Sequence, residues 1–260
     1  MMTKKEKIYT RSSRDDSLVT DEELSWRKKI IQLFKKAPIP DDEILYNLGL
    51  FQNRQTISRF IFMHEMYKRV LNVPGIVTEF GTRWGQTSAL FHSFRGMYEP
   101  YNHTRKIVAF DTFEGLKGTQ AVKDGKASFA QDGAYNVTEG YEGYLKEIFD
   151  FHQSQSPLAH MEKFVIIKGD AKKELPKFLK KNPHTLIALA YFDMDLYEPT
   201  KECLKIVLTK MTKGGIIGFD ELNHPGWPGE TLALAEVMGF KNIRLERMPF
   251  SPFTSFLVLE

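Results

Sequence analysis

Two aspartates, Asp193 and Asp195, close an apolar run in YFDMDLYEPT (residues 191–200). In extended chain, positions two apart face the same way, so the pair shares one side if the strand reaches that far. Asp220 and Glu221 end the next β-rich run, IIGFDE. Adjacent strands lie about 4.8 Å apart, which would crowd four carboxylates into one small region. Like charges that close raise at least one pKa unless a cation neutralises them. Oxygen-only donors, with no cysteine or histidine cluster beside them, suit a hard cation: Mg²⁺ first, then Mn²⁺ or Ca²⁺. The plainer alternative is that one or two of these acids cap the following helix.

Three further strand ends carry candidate groups. Glu79-Phe80-Gly81-Thr82-Arg83-Trp84-Gly85 leads from a strand into a helix. Its glycines permit a tight turn close to a ligand, and the helix start offers free N–H groups. It is not the dinucleotide fingerprint G-x-G-x-x-G. Asp111 ends the second strand, where a carboxylate can accept both hydroxyls of a ribose. Gly169-Asp170 ends the third, beside where an adenine edge would lie. Each acid alone could be a helix cap; three in register favour an adenosine-type cofactor.

These positions depend on a regular alternation of elements. Helical spacing of Leu24, Ile30, Ile31 and Phe34 predicts a helix over 23–36, and Ile57, Phe60, Ile61, His64, Tyr67, Val70 and Leu71 one over 55–71. His64 reads as a packed histidine. Strands follow at 76–80, 106–111, 164–168, 186–193, 216–220, 242–247 and 255–259, with helices at 87–95, 201–211 and 231–238. The pattern is α/β: a doubly wound, mostly parallel seven-stranded sheet with helices on both faces. The last two strands, joined only by residues 248–252, form a hairpin, which makes the final strand antiparallel. The polar stretch 112–162 is either a lid or a structural insertion. Three segments result: a basic arm expected to be disordered (1–20), N-terminal helices (21–74) and a cofactor-binding domain (75–260).

Composition narrows the function classes. The chain has 260 residues, 42% of them hydrophobic and 27% charged, as expected of a globular protein. Its apolar runs are far short of the roughly 20 residues that cross a bilayer. The basic start lacks an apolar signal core, so a cytoplasmic, soluble protein is expected. The single cysteine, Cys203, excludes a disulfide framework and reads as core filler. Residues 1–40 hold ten Lys/Arg against six Asp/Glu, leaving 26 against 27 elsewhere. A near-neutral main domain is a poor footprint for nucleic acid.

With these motifs in order, the chain resembles class I S-adenosylmethionine-dependent methyltransferases. More narrowly, it is similar to the Mg²⁺-dependent sugar O-methyltransferases of the macrocin O-methyltransferase group. The matching stretches are VTEFGTRWGQTSALF, IVAFDTFEGL, IIKGDAKKELP, YFDMDLYEPT and GGIIGFDELNHPGWPGE. Adding LGLFQNRQTISRFIFMHEMYKRV brings the likeness closest to enediyne-pathway enzymes that methylate dTDP-6-deoxyhexoses. It runs from about residue 40 to the end.

The resemblance implies that Glu79, Gly81 and Gly85 receive the methionine part of S-adenosylmethionine, Asp111 the ribose and Asp170 the adenine side. It puts Asp193, Asp220 and Glu221 at metal positions and Asp195 at the general base. The family more often has two adjacent aspartates where this chain has Asp220-Glu221; the longer side chain either reaches the ion or leaves that place to water. His224 and Trp227 either contact the sugar or belong to the turn built by Pro225-Gly226 and Pro228-Gly229. The implied acceptor is a small sugar or sugar nucleotide, with no nucleic acid or membrane partner, and the family tendency is towards homo-oligomers. Competing readings are a catechol-type diol O-methyltransferase, a nicotinamide-dependent oxidoreductase and a non-catalytic binding protein. The absent dinucleotide fingerprint and the terminal hairpin oppose the oxidoreductase; a cluster of acids with no ion would burden the binding protein.

Overall fold

A computed structural model describes residues 19–126 and 129–260; residues 1–18 of the expected arm lie outside the described residues. The first helix, α1 (Asp21–Lys35), starts at a capping box in which Thr20 and Glu23 satisfy each other's backbone amides. A short α2 (Asp41–Ile44) and a 3₁₀ turn (Leu48–Phe51) lead to α3 (Arg54–Arg69), capped where Asn53 accepts the Thr56 amide at 2.9 Å.

The buried face of α3 differs from the expected one. Phe62, Met63, Met66, Tyr67 and Val70 are buried, whereas Ile57 and Ile61 remain about two-fifths exposed (40% and 43%). Spacings of three and four residues extend the buried stripe back to Arg59. On α1, the apolar residues expected to form a packed face bury nothing completely.

Seven strands form one sheet in the order β3-β2-β1-β4-β5-β7-β6. They are β1 (Ile76–Phe80), β2 (Ile107–Asp111), β3 (Phe164–Lys168), β4 (Ile187–Phe192), β5 (Met211–Phe219), β6 (Leu245–Arg247) and β7 (Ser255–Val258). The first five pair in parallel, and β7 runs antiparallel to both β5 and β6. Strand order reverses between β1 and β4, which opens a crevice at their carboxyl ends.

Helices cover both faces. With α3, α4 (Gln86–Tyr98) and α5 (Tyr141–Ser154) pack Phe91, Leu145 and Phe149 against Val77, Leu189 and Tyr191. On the other face, α6 (Ala171–Lys181), α7 (Tyr197–Leu208) and α8 (Gly229–Val237) bury Leu175, Leu204 and Leu234 against Val108, Ala190 and Ile217. Each such side chain contributes about 1.5–3 kcal/mol of transfer free energy before entropic costs. Buried Cys203 belongs to this second core.

Besides the short α2, two longer helices were not expected. The Lys-rich α6 carries an internal Pro176, and α5 occupies part of the 112–162 segment. The remainder of that segment packs Leu116, Phe129 and Ala134 onto Leu196 and Trp227 in a small third cluster.

Candidate active site

A row of phenylalanines fixes the floor of the site. Phe110, Phe80, Phe192 and Phe219 lie in register across β2, β1, β4 and β5. Their rings stack with centroids 5.0, 4.9 and 5.4 Å apart. The residues that follow them are Asp111, Gly81, Asp193 and Asp220. Register therefore delivers these four together to the mouth of a cleft of about 1060 Å³.

On the β1–β3 side, Glu79 is buried and accepts a short hydrogen bond from the Ser88 hydroxyl. Burial pushes its pKa up to about 8, against the lowering effect of that bond. Asp111 accepts the amides of Arg83 at 2.7 Å and Phe113 at 2.5 Å. Burial raises its pKa although those amides oppose the shift. Asp170 caps α6, accepting the Lys172 amide at 3.0 Å, so the plain capping role is real there; the residue also lines the cleft.

The glycines serve backbone packing more directly than ligand approach. A Cβ on Gly81 (φ 91°) would stand 1.8 Å from the Asp193 carbonyl oxygen. Gly85 is left-handed (φ 81°) and lies against the Leu145 side chain, away from the cleft lining.

At the other end, Asp193 and Asp220 converge on a residue the sequence reading did not single out. Arg59 donates from Nη2 to Asp193 and from Nη1 to Asp220, both at 2.6 Å, and from Nη2 to the Thr87 hydroxyl at 3.2 Å. The Tyr191 hydroxyl donates to the same Asp220 oxygen at 2.5 Å. The signal for Arg59 was available: a cation three and four residues before Phe62 and Met63, on the buried stripe of α3.

Asp195 departs from the expected geometry. Because β4 ends at Phe192, Asp195 is not carried on a continuing strand; it adopts a left-handed conformation (φ 60°), which aspartate tolerates better than most residues. It is buried but lines the cleft with Asp193, Asp220 and Glu221.

Two further acids fix these loops. Glu230, fully buried at the start of α8, accepts the Met194 amide with one carboxylate oxygen and the Glu221 amide with the other, both at 3.2 Å. Burial, followed by Asp195, Asp193 and Asp220, pushes its pKa well above the usual range. Asp124, from the insertion, accepts the Tyr197 amide at 2.7 Å, capping α7 where Leu196 has no side chain to do so. Trp227 is fully buried, and His224 accepts the Gly226 amide through Nδ1 at 3.1 Å. Both belong to the turn.

The carboxylates of Asp193 and Asp220 suit a hard cation in kind, since one oxygen of each already accepts from the same cationic group. In this arrangement that group is the Arg59 guanidinium. No group of three or more His, Cys, Asp or Glu is gathered for a metal among the described residues.

The macrocin-O-methyltransferase (TylF) family model matches residues 57–227. A crystal structure of CalS11, a calicheamicin methyltransferase, is 37% identical with a TM-score of 0.90, over 98% of this chain and 99% of that one. An apo structure of CalS11, described as a TDP-rhamnose 3′-O-methyltransferase in calicheamicin biosynthesis, is 38% identical with a TM-score of 0.82, covering 93% and 96%. The O-methyltransferase NovP shares the fold at 20% identity, with a TM-score of 0.57 over 78% of this chain and 80% of its own. No curated protein matches the chain. A crevice at the β1/β4 reversal, acids at successive strand ends and a family match across both place the chain: it belongs to the macrocin O-methyltransferase (TylF) family of class I S-adenosylmethionine-dependent methyltransferases and is an O-methyltransferase.

Proposed function

We propose that the protein methylates a hydroxyl of a deoxysugar, carried on a nucleotide, in natural-product or polysaccharide biosynthesis. The observation that carries this reading is a single cleft lined by Asp193, Asp195 and Asp220 and also by Glu79, Asp111 and Asp170. The CalS11 likeness, over nearly the whole of both chains, supports the nucleotide-linked sugar.

In this reading S-adenosylmethionine supplies the methyl group, and Mg²⁺ held by Asp193, Asp220 and Glu221 would orient neighbouring hydroxyls and acidify the reacting one. Glu79 receives the methionine ammonium, and Asp111 accepts from the ribose hydroxyls. Asp195 takes the proton of the sugar hydroxyl as it attacks. Aligning that hydroxyl behind the methyl carbon supplies much of the rate. Gln55 and Thr56 of α3 line the cleft, so residues 21–74 act as an extension completing the methyltransferase domain at 75–260.

Among the described residues no helix is long and apolar enough to cross a membrane. We take the enzyme to work in the cytoplasm. Exposed Trp26, Ile31, Leu33, Leu45 and Leu50 on the N-terminal segment support assembly into a homo-oligomer, measurable by light scattering. The activity itself is tested by incubating the enzyme with methyl-labelled S-adenosylmethionine and a panel of dTDP-deoxyhexoses, with catechol as the competing acceptor. Label on a sugar nucleotide supports the reading; label on catechol alone contradicts it.

A further inference from the structure

Arg59 stands where a metal would have to stand. Its two terminal nitrogens lie 2.6 Å from Asp193 Oδ2 and Asp220 Oδ1. A Mg²⁺ ion takes carboxylate oxygens at about 2.0–2.1 Å. An ion drawn to those same oxygens would therefore overlap the guanidinium, and the two positive charges would repel. Arginine does not leave by losing its proton, because a guanidinium stays protonated in proteins. It must leave as a cation, into a place that tolerates one.

Such a place adjoins it. Arg59 and Asp220 also border a cavity of about 170 Å³, lined further by Ser58, Phe62, Glu221, Ser251, Pro252 and Phe253. Water occupies about 30 Å³ per molecule in the liquid, so this space admits a guanidinium group. Ser58 and Ser251 line it with hydroxyls, and Glu221 lines both this cavity and the cleft. Phe62, Met63, Met66 and Tyr67 anchor α3 in the core, so the movement is a rotation of one side chain and not a displacement of the helix.

We propose that the Arg59 guanidinium and a divalent cation are alternative occupants of one position, and that Arg59 sets how tightly the acids hold a metal by having to withdraw first. The inference rests on reading Asp193 and Asp220 as metal ligands. It makes the N-terminal extension part of the metal site's control: without metal, Arg59 keeps the two acids neutralised and spaced; with metal, it turns into the adjoining cavity.

The test is a titration of the full chain with Mn²⁺, following free Mn²⁺ by electron paramagnetic resonance, which reads binding without reference to turnover. Arg59→Gln, which cannot span both carboxylates with positive charge, is expected to bind Mn²⁺ about tenfold or more tighter than the wild type. Arg59→Lys, which keeps the charge but loses the fork, should fall between and covers the case in which the glutamine variant does not fold. Asp193→Asn combined with Arg59→Gln should abolish the gain. Equal or weaker Mn²⁺ binding by Arg59→Gln, with binding still lost on Asp193→Asn, overturns the exchange while leaving the metal site standing. Absence of Mn²⁺ binding in every form, with S-adenosylmethionine still bound, overturns both.

Discussion

Phe80 and Phe192 stack with ring centroids 4.9 Å apart and planes 18° from parallel, as last residues of neighbouring parallel strands. Gly81 and Asp193 follow them, so the stack sets the height at which β4 releases its acid into the cleft. Replacing Phe192 with leucine removes the ring contacts to both Phe80 and Phe219. Aromatic pairs contribute about 0.5–1.5 kcal/mol beyond their buried area. Phe192→Leu should lose stability of that order in urea unfolding and lower kcat more than it weakens cofactor binding.

Glu230 joins the two acid-bearing loops through the Met194 and Glu221 amides. Glu230→Gln keeps the shape but puts an NH₂ against one amide donor. Leaving a buried donor unsatisfied costs about 1–3 kcal/mol, which chemical denaturation would read. Turnover should fall as well, because Asp193, Asp195 and Glu221 all sit on the loops that lose the tie. Affinity for S-adenosylhomocysteine should change little.

Asp124 caps α7 from more than seventy positions away in the chain (sequence separation 73). Asp124→Ala is expected to cost about 0.5–2 kcal/mol as a lost cap. Proteolytic nicking within the insertion should accelerate at the same time, since this bond ties the insertion to the Asp195 loop. Unchanged stability together with unchanged nicking would remove Asp124 from that role.

Glu79 carries the clearest pH signature. With its pKa raised to about 8 by burial, it is largely protonated at pH 6 in the unliganded protein. In the proposed site, a methionine ammonium beside it would favour the carboxylate and expel the proton. S-adenosylmethionine binding should then release a proton below about pH 8 and tighten as pH rises towards that value. Calorimetry in buffers of different ionisation heat measures the release. Glu79→Gln should abolish it.

How much of this was legible in the sequence depended on whether a residue's role is set by its own strand or by a distant contact. Asp111, Asp193 and Asp220 could be placed because each ends an apolar run, and parallel register does the rest. Asp195 was placed on a strand that had already ended, because chain reversal into α7 needs a left-handed residue there. Four residues of α7 were missed with it. Asp124 and Glu230 work through partners 73 and 36 positions away, distances no local pattern encodes; the stripe of α3 marks Arg59 as a cation on a buried face but not its partners, 134 and 161 positions away. The α5 and α6 helices were hidden for different reasons: glycine and aromatic content masked the first, lysines and Pro176 the second.

The central claim is that Asp195 deprotonates a sugar hydroxyl during methyl transfer. The most direct measurement compares wild type with Asp195→Asn, using methyl-labelled S-adenosylmethionine and a dTDP-6-deoxyhexose, with cofactor affinity measured in parallel. General-base contributions are typically about 10²–10⁴-fold. The account predicts a methylated sugar nucleotide from the wild type, and a fall of at least about 100-fold in kcat for Asp195→Asn with cofactor affinity retained. Wild-type turnover surviving intact in Asp195→Asn would contradict it.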